Sequence, residues 1–120
     1  MSKKTLVIGA SVNESRYSNM AMKRLKFFHH EVVAIGLKEG MVDQIPIGTN
    51  LTPFTDIDTV AMYVGPQKQA AYYDYIVSLQ PKRVIFNPGT ENDEFYEILK
   101  AHNIPYFEYC TLVLLNTGQF

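Results

Sequence analysis

Most residues of this 120-residue chain that are able to do chemistry sit in short turns. Gly9-Ala10-Ser11 closes an apolar run, and small residues at such a place let backbone N–H groups approach an anion. Arg16 follows in the same loop and offers a fixed cation suited to a pyrophosphate. The glycine fingerprint of dinucleotide sites is present only in part, because Ser11 and Glu14 stand where its second and third glycines belong. A second mark, an acidic residue for a ribose hydroxyl, is replaced by Gly36-Leu37-Lys38. A lysine there favours an added phosphate, as on the ribose of NADP or the 3′-phosphate of coenzyme A. Arg16 and Lys38 also have a simpler reading as solvated surface cations.

The remaining reactive side chains have structural explanations. Cys110 as a nucleophile would need a base and an orienting group beside it, and the spacing places none of His29, His30 or His102 there. It reads as a small buried hydrophobe. His29-His30 closes a helix, where the dipole favours imidazolium, and His102 packs half-buried next to Ile98. Asp56 and Asp58 mark a turn and a strand start, and Glu91, Asp93 and Glu94 suit the first turn of a helix. Tyr72, Tyr73 and Tyr75 crowd one helix as packing groups. Neither a G-x-S-x-G elbow nor an HExxH pattern occurs, so neither a catalytic set nor a metal site is expected.

Composition narrows the class. The chain is 47% hydrophobic and 19% charged, as in globular proteins, and a length of 120 residues suits one domain over 1–120. Eleven Lys and Arg against twelve Asp and Glu give a net charge of −1, which argues against bulk nucleic-acid binding. One cysteine cannot build a disulfide framework within the chain. The start Met1-Ser2-Lys3-Lys4 and its short apolar run are too brief for a signal peptide or membrane span. A cytoplasmic protein without membrane contact is expected.

The elements that must position the turns follow from hydrophobic periodicity. Thr5 to Ala10 is a continuous apolar run, as in a strand buried on both faces. Ser18 predicts a helix N-cap, with Ala21, Leu25 and Phe28 facing inward and Asn19 facing water. Glu31 to Gly36 is the second strand. Leu37 to Ile57 is loop-like, with a short strand over Ile47 to Thr52, and Asp58 to Val64 is a buried strand stopped by Gly65-Pro66. Pro66 opens a helix that presents Ala70, Tyr73 and Val77 and ends before Pro81. Arg83 to Phe86 is a strand ended by Asn87-Pro88-Gly89. Thr90 to Asp93 reads as a capping box with Thr90 as cap, and its helix turns Phe95, Ile98, Leu99 and His102 inward. Ile104 to Phe107 is a last strand and Leu112 to Leu115 an apolar tail. The alternation predicts an α/β fold: a three-layer Rossmann-like open parallel sheet of about five strands with helices on both faces. Ligands of such sheets bind beyond the carboxyl ends of the strands, where strand order reverses.

The order and spacing of several short motifs add to this. Val7-Ile8-Gly9-Ala10-Ser11 precedes Arg16-Tyr17-Ser18, and Gly48 lies before Asp58-Thr59-Val60, which leads to Val64-Gly65-Pro66. Val84-Ile85-Phe86-Asn87-Pro88-Gly89 then precedes Asn92-Asp93-Glu94, with Cys110 near the end. In this pattern the chain resembles the small CoA-binding-domain proteins, which are similar to the N-terminal nucleotide domain of the succinyl-CoA synthetase α-subunit. The resemblance implies a site for coenzyme A or a related adenine nucleotide. It implies Gly9, Ala10, Ser11, Arg16 and Ser18 around the pyrophosphate, and Gly36 and Lys38 near the adenosine and its 3′-phosphate. It implies Val64, Gly65 and Pro66 as a wall for the adenine or pantetheine, with Asn87, Gly89 and Thr90 further along that arm. The synthetase's phosphorylated histidine belongs to a domain absent here, so ligase activity is not implied.

The expected function is therefore a module that binds coenzyme A or an acyl-CoA without catalytic residues of its own. Two alternatives use the same fold. One is an NADP-type redox or sensor domain, and the other a structural homodimer joined through Leu112 to Leu115 with a vestigial crevice.

Overall fold

The computed structural model describes residues 2–120. Its strands are β1 (Thr5–Ala10), β2 (Val32–Gly36), β3 (Gly40–Val42), β4 (Ile45–Gly48), β5 (Thr59–Met62), β6 (Arg83–Phe86) and β7 (Tyr106–Glu108). They form one sheet in the order β3-β4-β2-β1-β5-β6-β7. Every neighbouring pair is parallel except β3 with β4. Helices α1 (Tyr17–Phe27) and α4 (Thr111–Asn116) pack together, as do α2 (Tyr73–Leu79) and α3 (Asp93–Ala101). Successive residues of β1 divide between two cores, as the two-residue period of a strand requires. Leu6 and Ile8 join Val60, Met62, Val84, Phe86, Phe95 and Leu99, while Val7 joins Met22, Leu25, Ala34, Ile47 and Ala61. No helix among the described residues is long and apolar enough to cross a membrane.

Seven strands replace the expected five because the loop-like stretch hides a hairpin. Asp43 and Gln44 both take positive φ, 47° and 69°, and join Val42 to Ile45 in a two-residue turn. Such turns normally declare themselves through Gly, which is absent at both central positions. The short strand expected over Ile47 to Thr52 ends at Gly48, where pairing with β2 stops. The last strand starts at Tyr106 instead of Ile104, since Ile104 is buried and Pro105 has no N–H to donate.

The helix boundaries differ for local reasons. Arg16, not Ser18, is the N-cap of α1, and Ser18 is buried within its first turn. Asn19 is also buried, whereas Phe28 is 38% exposed because α1 ends at Phe27 and the chain turns at His29. Pro66 opens a 3₁₀ turn, a second follows over Ala70–Tyr72, and only then does α2 begin. The tighter winding rotates Ala70 to the surface and leaves Ile76 as the buried anchor of α2. Asn92, not Thr90, caps α3, its Oδ1 accepting from the Phe95 N–H at 3.2 Å. Asn and Ser lead Thr as caps, so Asn92 takes the position and Thr90 turns inward.

The other side chains also find places. Cys110 is half-buried at the N-cap of α4, not enclosed, and His102 is exposed with Nδ1 at 2.9 Å from the Ile98 carbonyl. The apolar tail is α4 itself. Leu114 and Leu115 are spent inside the chain, and Val113 remains 56% exposed.

Candidate functional site

The order β2-β1-β5 places the reversal of strand order at β1, so the crevice lies beyond Ala10 and Met62. Gly9 has φ +96°, and the pairing with β2 shifts register between Ile8 and Ala10. A Cβ on Gly9 would stand 2.9 Å from the backbone of Tyr63, so glycine alone lets β1 leave the sheet this close to β5. Gly36 serves the other side. A Cβ there would lie 2.3 Å from the Ala10 carbonyl oxygen, so the ends of β1 and β2 close tightly.

The loop after β1 holds its own shape. Asn13 donates its N–H to Ser11 Oγ at 3.1 Å, and Ser15 donates its N–H to Asn13 Oδ1 at 3.0 Å. Buried Asn19 donates through Nδ2 to the Ser11 carbonyl at 2.9 Å, tying the loop's first residue to the first turn of α1. Nothing acidic stands in that first turn, and the N–H groups of Tyr17 and Ser18 find no acceptor among the described residues. Free donors, the helix dipole and the exposed Arg16 side chain make this turn attractive to an anion. Lys38 is exposed at the exit of β2. Close to these cations along the chain, Val12, Tyr17 and Leu37 are exposed, Leu37 to 84%.

The exits of β5 and β6 are fastened by side-chain amides. Asn87 Nδ2 donates to the Met62 carbonyl at 3.0 Å, and its Oδ1 accepts from the Thr111 N–H at 2.8 Å. One buried amide thereby holds β5, β6 and the start of α4. Gln69, fully buried, donates through Nε2 to the carbonyls of Val64 (2.8 Å) and Thr90 (2.7 Å). Its Oε1 accepts from Asn92 Nδ2 at 3.0 Å, and the same Nδ2 reaches Tyr73 Oη at 2.8 Å. Tyr73 donates in turn to Glu94 at 2.9 Å. Tyr63 packs beside Thr111 and Cys110, and burial raises its phenol above the usual range. Among the described residues neither Tyr63 Oη nor Thr111 Oγ1 finds a hydrogen-bond partner.

The residues expected at a ligand thus gather along one rim, at the exits of β2, β1, β5 and β6 in spatial order. Gly9, Ala10, Ser11 and Arg16 share the first loop, Lys38 flanks it, and Val64, Gly65 and Pro66 are half-buried opposite. Gly89 is exposed with φ +92°. Ser18, Gly36, Asn87 and Thr90 are buried, and Thr90 Oγ1 is bound to the Asn87 carbonyl at 2.7 Å. Sequence reasoning missed Asn19, Tyr63, Gln69 and Asn92 as organisers of the rim. Only Asn92 carried a usable signal, as an Asn three residues before an inward Phe. Two other surface hollows lie away from the rim. One of about 610 Å³ borders Lys4, Glu31, Asp58 and Lys82 at the amino ends of the strands, and one of about 870 Å³ borders the end of α1.

A parallel sheet with its loop crevice at the switch point and a glycine turn leading into a helix defines a Rossmann-like fold. The match of a family model narrows this class. The chain belongs to the CoA-binding domain family, whose model covers residues 3–116. It is similar to the crystal structure of an uncharacterized protein, with 46% identity and a TM-score of 0.97 over 100% of this chain and 99% of that one. A hypothetical protein from Pyrococcus horikoshii OT3 is similar at 22% identity and a TM-score of 0.87, over 97% of this chain and 83% of the other. An aspartate dehydrogenase from Thermotoga maritima shares the fold alone, at 14% identity and a TM-score of 0.61, over 89% of this chain and 45% of the enzyme. None of the curated proteins matches this sequence.

Proposed function

We propose that this chain binds coenzyme A or an acyl-CoA along the rim at the exits of β1, β2 and β5, as a binding module. The observation that carries the reading is the turn from β1 into α1: left-handed Gly9, an acid-free first helical turn with free N–H groups, and exposed Arg16. Diphosphate oxygens would meet those N–H groups and the Arg16 guanidinium. Lys38 would take the 3′-phosphate, and exposed Leu37 and Val12 would face the adenosine. Val64, Gly65 and Pro66 would border the pantetheine arm. Asn87 and Thr90 would shape that border through the backbone they hold, since their side chains are bound within the protein. A long flexible ligand lying along an open rim needs no closed cavity.

The test is thermal denaturation with CoA, acetyl-CoA and NADPH in parallel, followed by calorimetric affinity for Arg16→Ala. Stabilisation by CoA, absent with NADPH, is expected by mass action. Arg16→Ala should weaken CoA at least about ten-fold, as loss of a charge-assisted contact does. Stabilisation by NADPH but not CoA would favour the redox or sensor reading instead. No response to any nucleotide, or an unchanged affinity in the variant, refutes the assignment.

A further inference from the structure

Strand β7 forms one edge of the sheet, and its outer side is bare. The Val84 N–H donates to the Pro105 carbonyl at 2.9 Å, and Val84 stands opposite Tyr106 in the parallel register. Alternate residues of a strand turn their N–H and C=O groups to opposite sides. Phe107 therefore faces β6, while Tyr106 and Glu108 aim their backbone groups away from the sheet. Those groups have no partner among the described residues. Open edges are commonly blunted by a lysine, a bulge or an outward proline. Here the register runs without a bulge, and Pro105 lacks its N–H on the β6 side. The one charged side chain of the strand, Glu108, accepts from Tyr96 Oη at 2.7 Å.

The side chains alternate too. Tyr106 stacks on Tyr96 of α3 at 4.3 Å, which puts Phe107 and Tyr109 on the other face. Their rings stack at 5.3 Å and stay 38% and 45% exposed.

This edge is complementary to itself. An antiparallel pairing about a two-fold axis at Phe107 sets Tyr106 of each copy opposite Glu108 of the other. Both pairs then exchange two backbone hydrogen bonds, and every outward group of Tyr106 and Glu108 is satisfied at once. Phe107 meets its own counterpart as a non-hydrogen-bonded pair, where side chains come closest, and Tyr109 lies across from exposed Pro105. Charge agrees with this register. Lys100 pairs with Glu97 at 3.0 Å and also stands close to Tyr106, so a Glu108 arriving opposite Tyr106 meets an ammonium group, twice by symmetry. Glu97 holds that lysine only as an exposed surface pair, which exchanges at little cost. A foreign strand would have to bring an aromatic and a carboxylate at this spacing, and the chain itself carries both.

We infer that β7 is a self-association edge, through which two copies of this chain join their sheets antiparallel about Phe107. The apolar residues Leu114 and Leu115 are spent inside the chain and take no part. Antiparallel joining points the strand exits of the two copies in opposite directions, so each rim stays open.

The experiment is sedimentation equilibrium of the full chain over a range of concentrations. A monomer–dimer equilibrium in the micromolar range is expected, as for a small interface. Phe107→Lys sets two cations against each other at the axis and should weaken the dimer at least about ten-fold. Glu108→Lys should weaken it as well, and adding Lys100→Glu should restore it, which a merely destabilised monomer would not do. In a Cys110→Ser background, Phe107→Cys should form an interchain disulfide on mild oxidation, since residues directly opposite lie about 4.5 Å apart at Cα. Met41→Cys, on the opposite edge of the sheet, should not. A monomer at every concentration, a dimer that Phe107→Lys leaves intact, or cross-linking through Met41→Cys in place of Phe107→Cys overturns the inference.

Discussion

Gly36→Ala isolates the contact that closes β1 onto β2. The added methyl would sit 2.3 Å from the Ala10 oxygen and 3.0 Å from Ile47 Cγ2. The carbonyl belongs to the ladder between β1 and β2, so it cannot rotate away as a flexible side chain would. One strand end must withdraw by about 1 Å to restore ordinary van der Waals separation. Overpacking of this kind costs about 2–3 kcal/mol. For a chain of this length about 3–5 °C of melting temperature accompanies each kcal/mol, so a fall of roughly 6–15 °C is expected. Gly48→Ala is the matched control, because its Cβ would meet nothing within 4 Å and its φ is not positive. It should leave the melting temperature unchanged or slightly raised through the unfolded chain. Scanning calorimetry of the three proteins decides. Equal melting for wild type and Gly36→Ala would refute the packing argument.

Two further outcomes follow from the same geometry. Asn87→Ala removes the bond to the Met62 carbonyl and the acceptor of the Thr111 N–H, leaving two buried groups unpaired. A loss of about 2–4 kcal/mol is expected in urea unfolding, and a loss under 1 kcal/mol would show that the amide is not the fastening described. His30 accepts the Lys3 N–H at Nδ1, and its pKa is lowered from 6.5 by desolvation first and by Lys3 next. The unfolded chain therefore binds the proton more readily, and this contribution is present above pH 6.5 and lost as pH falls below it. The melting temperature should drop more steeply on acidification in wild type than in His30→Gln, and parallel profiles would contradict that account.

The legible part of the site was the part written in local chemistry. Gly9-Ala10-Ser11 after an apolar run, Arg16 in the following loop and Pro66 after a strand all stand where their backbone preferences put them. The hairpin escaped because Asp43-Gln44 makes its turn without glycine. Gln69 escaped because its importance lies in two carbonyls, Val64 and Thr90, that sequence spacing does not connect.

By itself the sequence determined the alternation of buried strands and helices, and with it the end of the sheet at which the loops after β1, β2 and β5 converge. Strand burial and helix amphipathicity are written in the periodicity of neighbouring residues, and handed crossovers do the rest. Tertiary structure decided which rim side chains face outward. Ser18, Asn19, Asn87 and Thr90 look like polar turn residues in the chain, yet they are buried, and Asn19, Asn87 and Thr90 bond to carbonyl groups. Arg16 and Lys38 are exposed. The physical reason is that a polar group buried by a distant segment must find its partner there, and that partner is set by packing, not by neighbours in sequence.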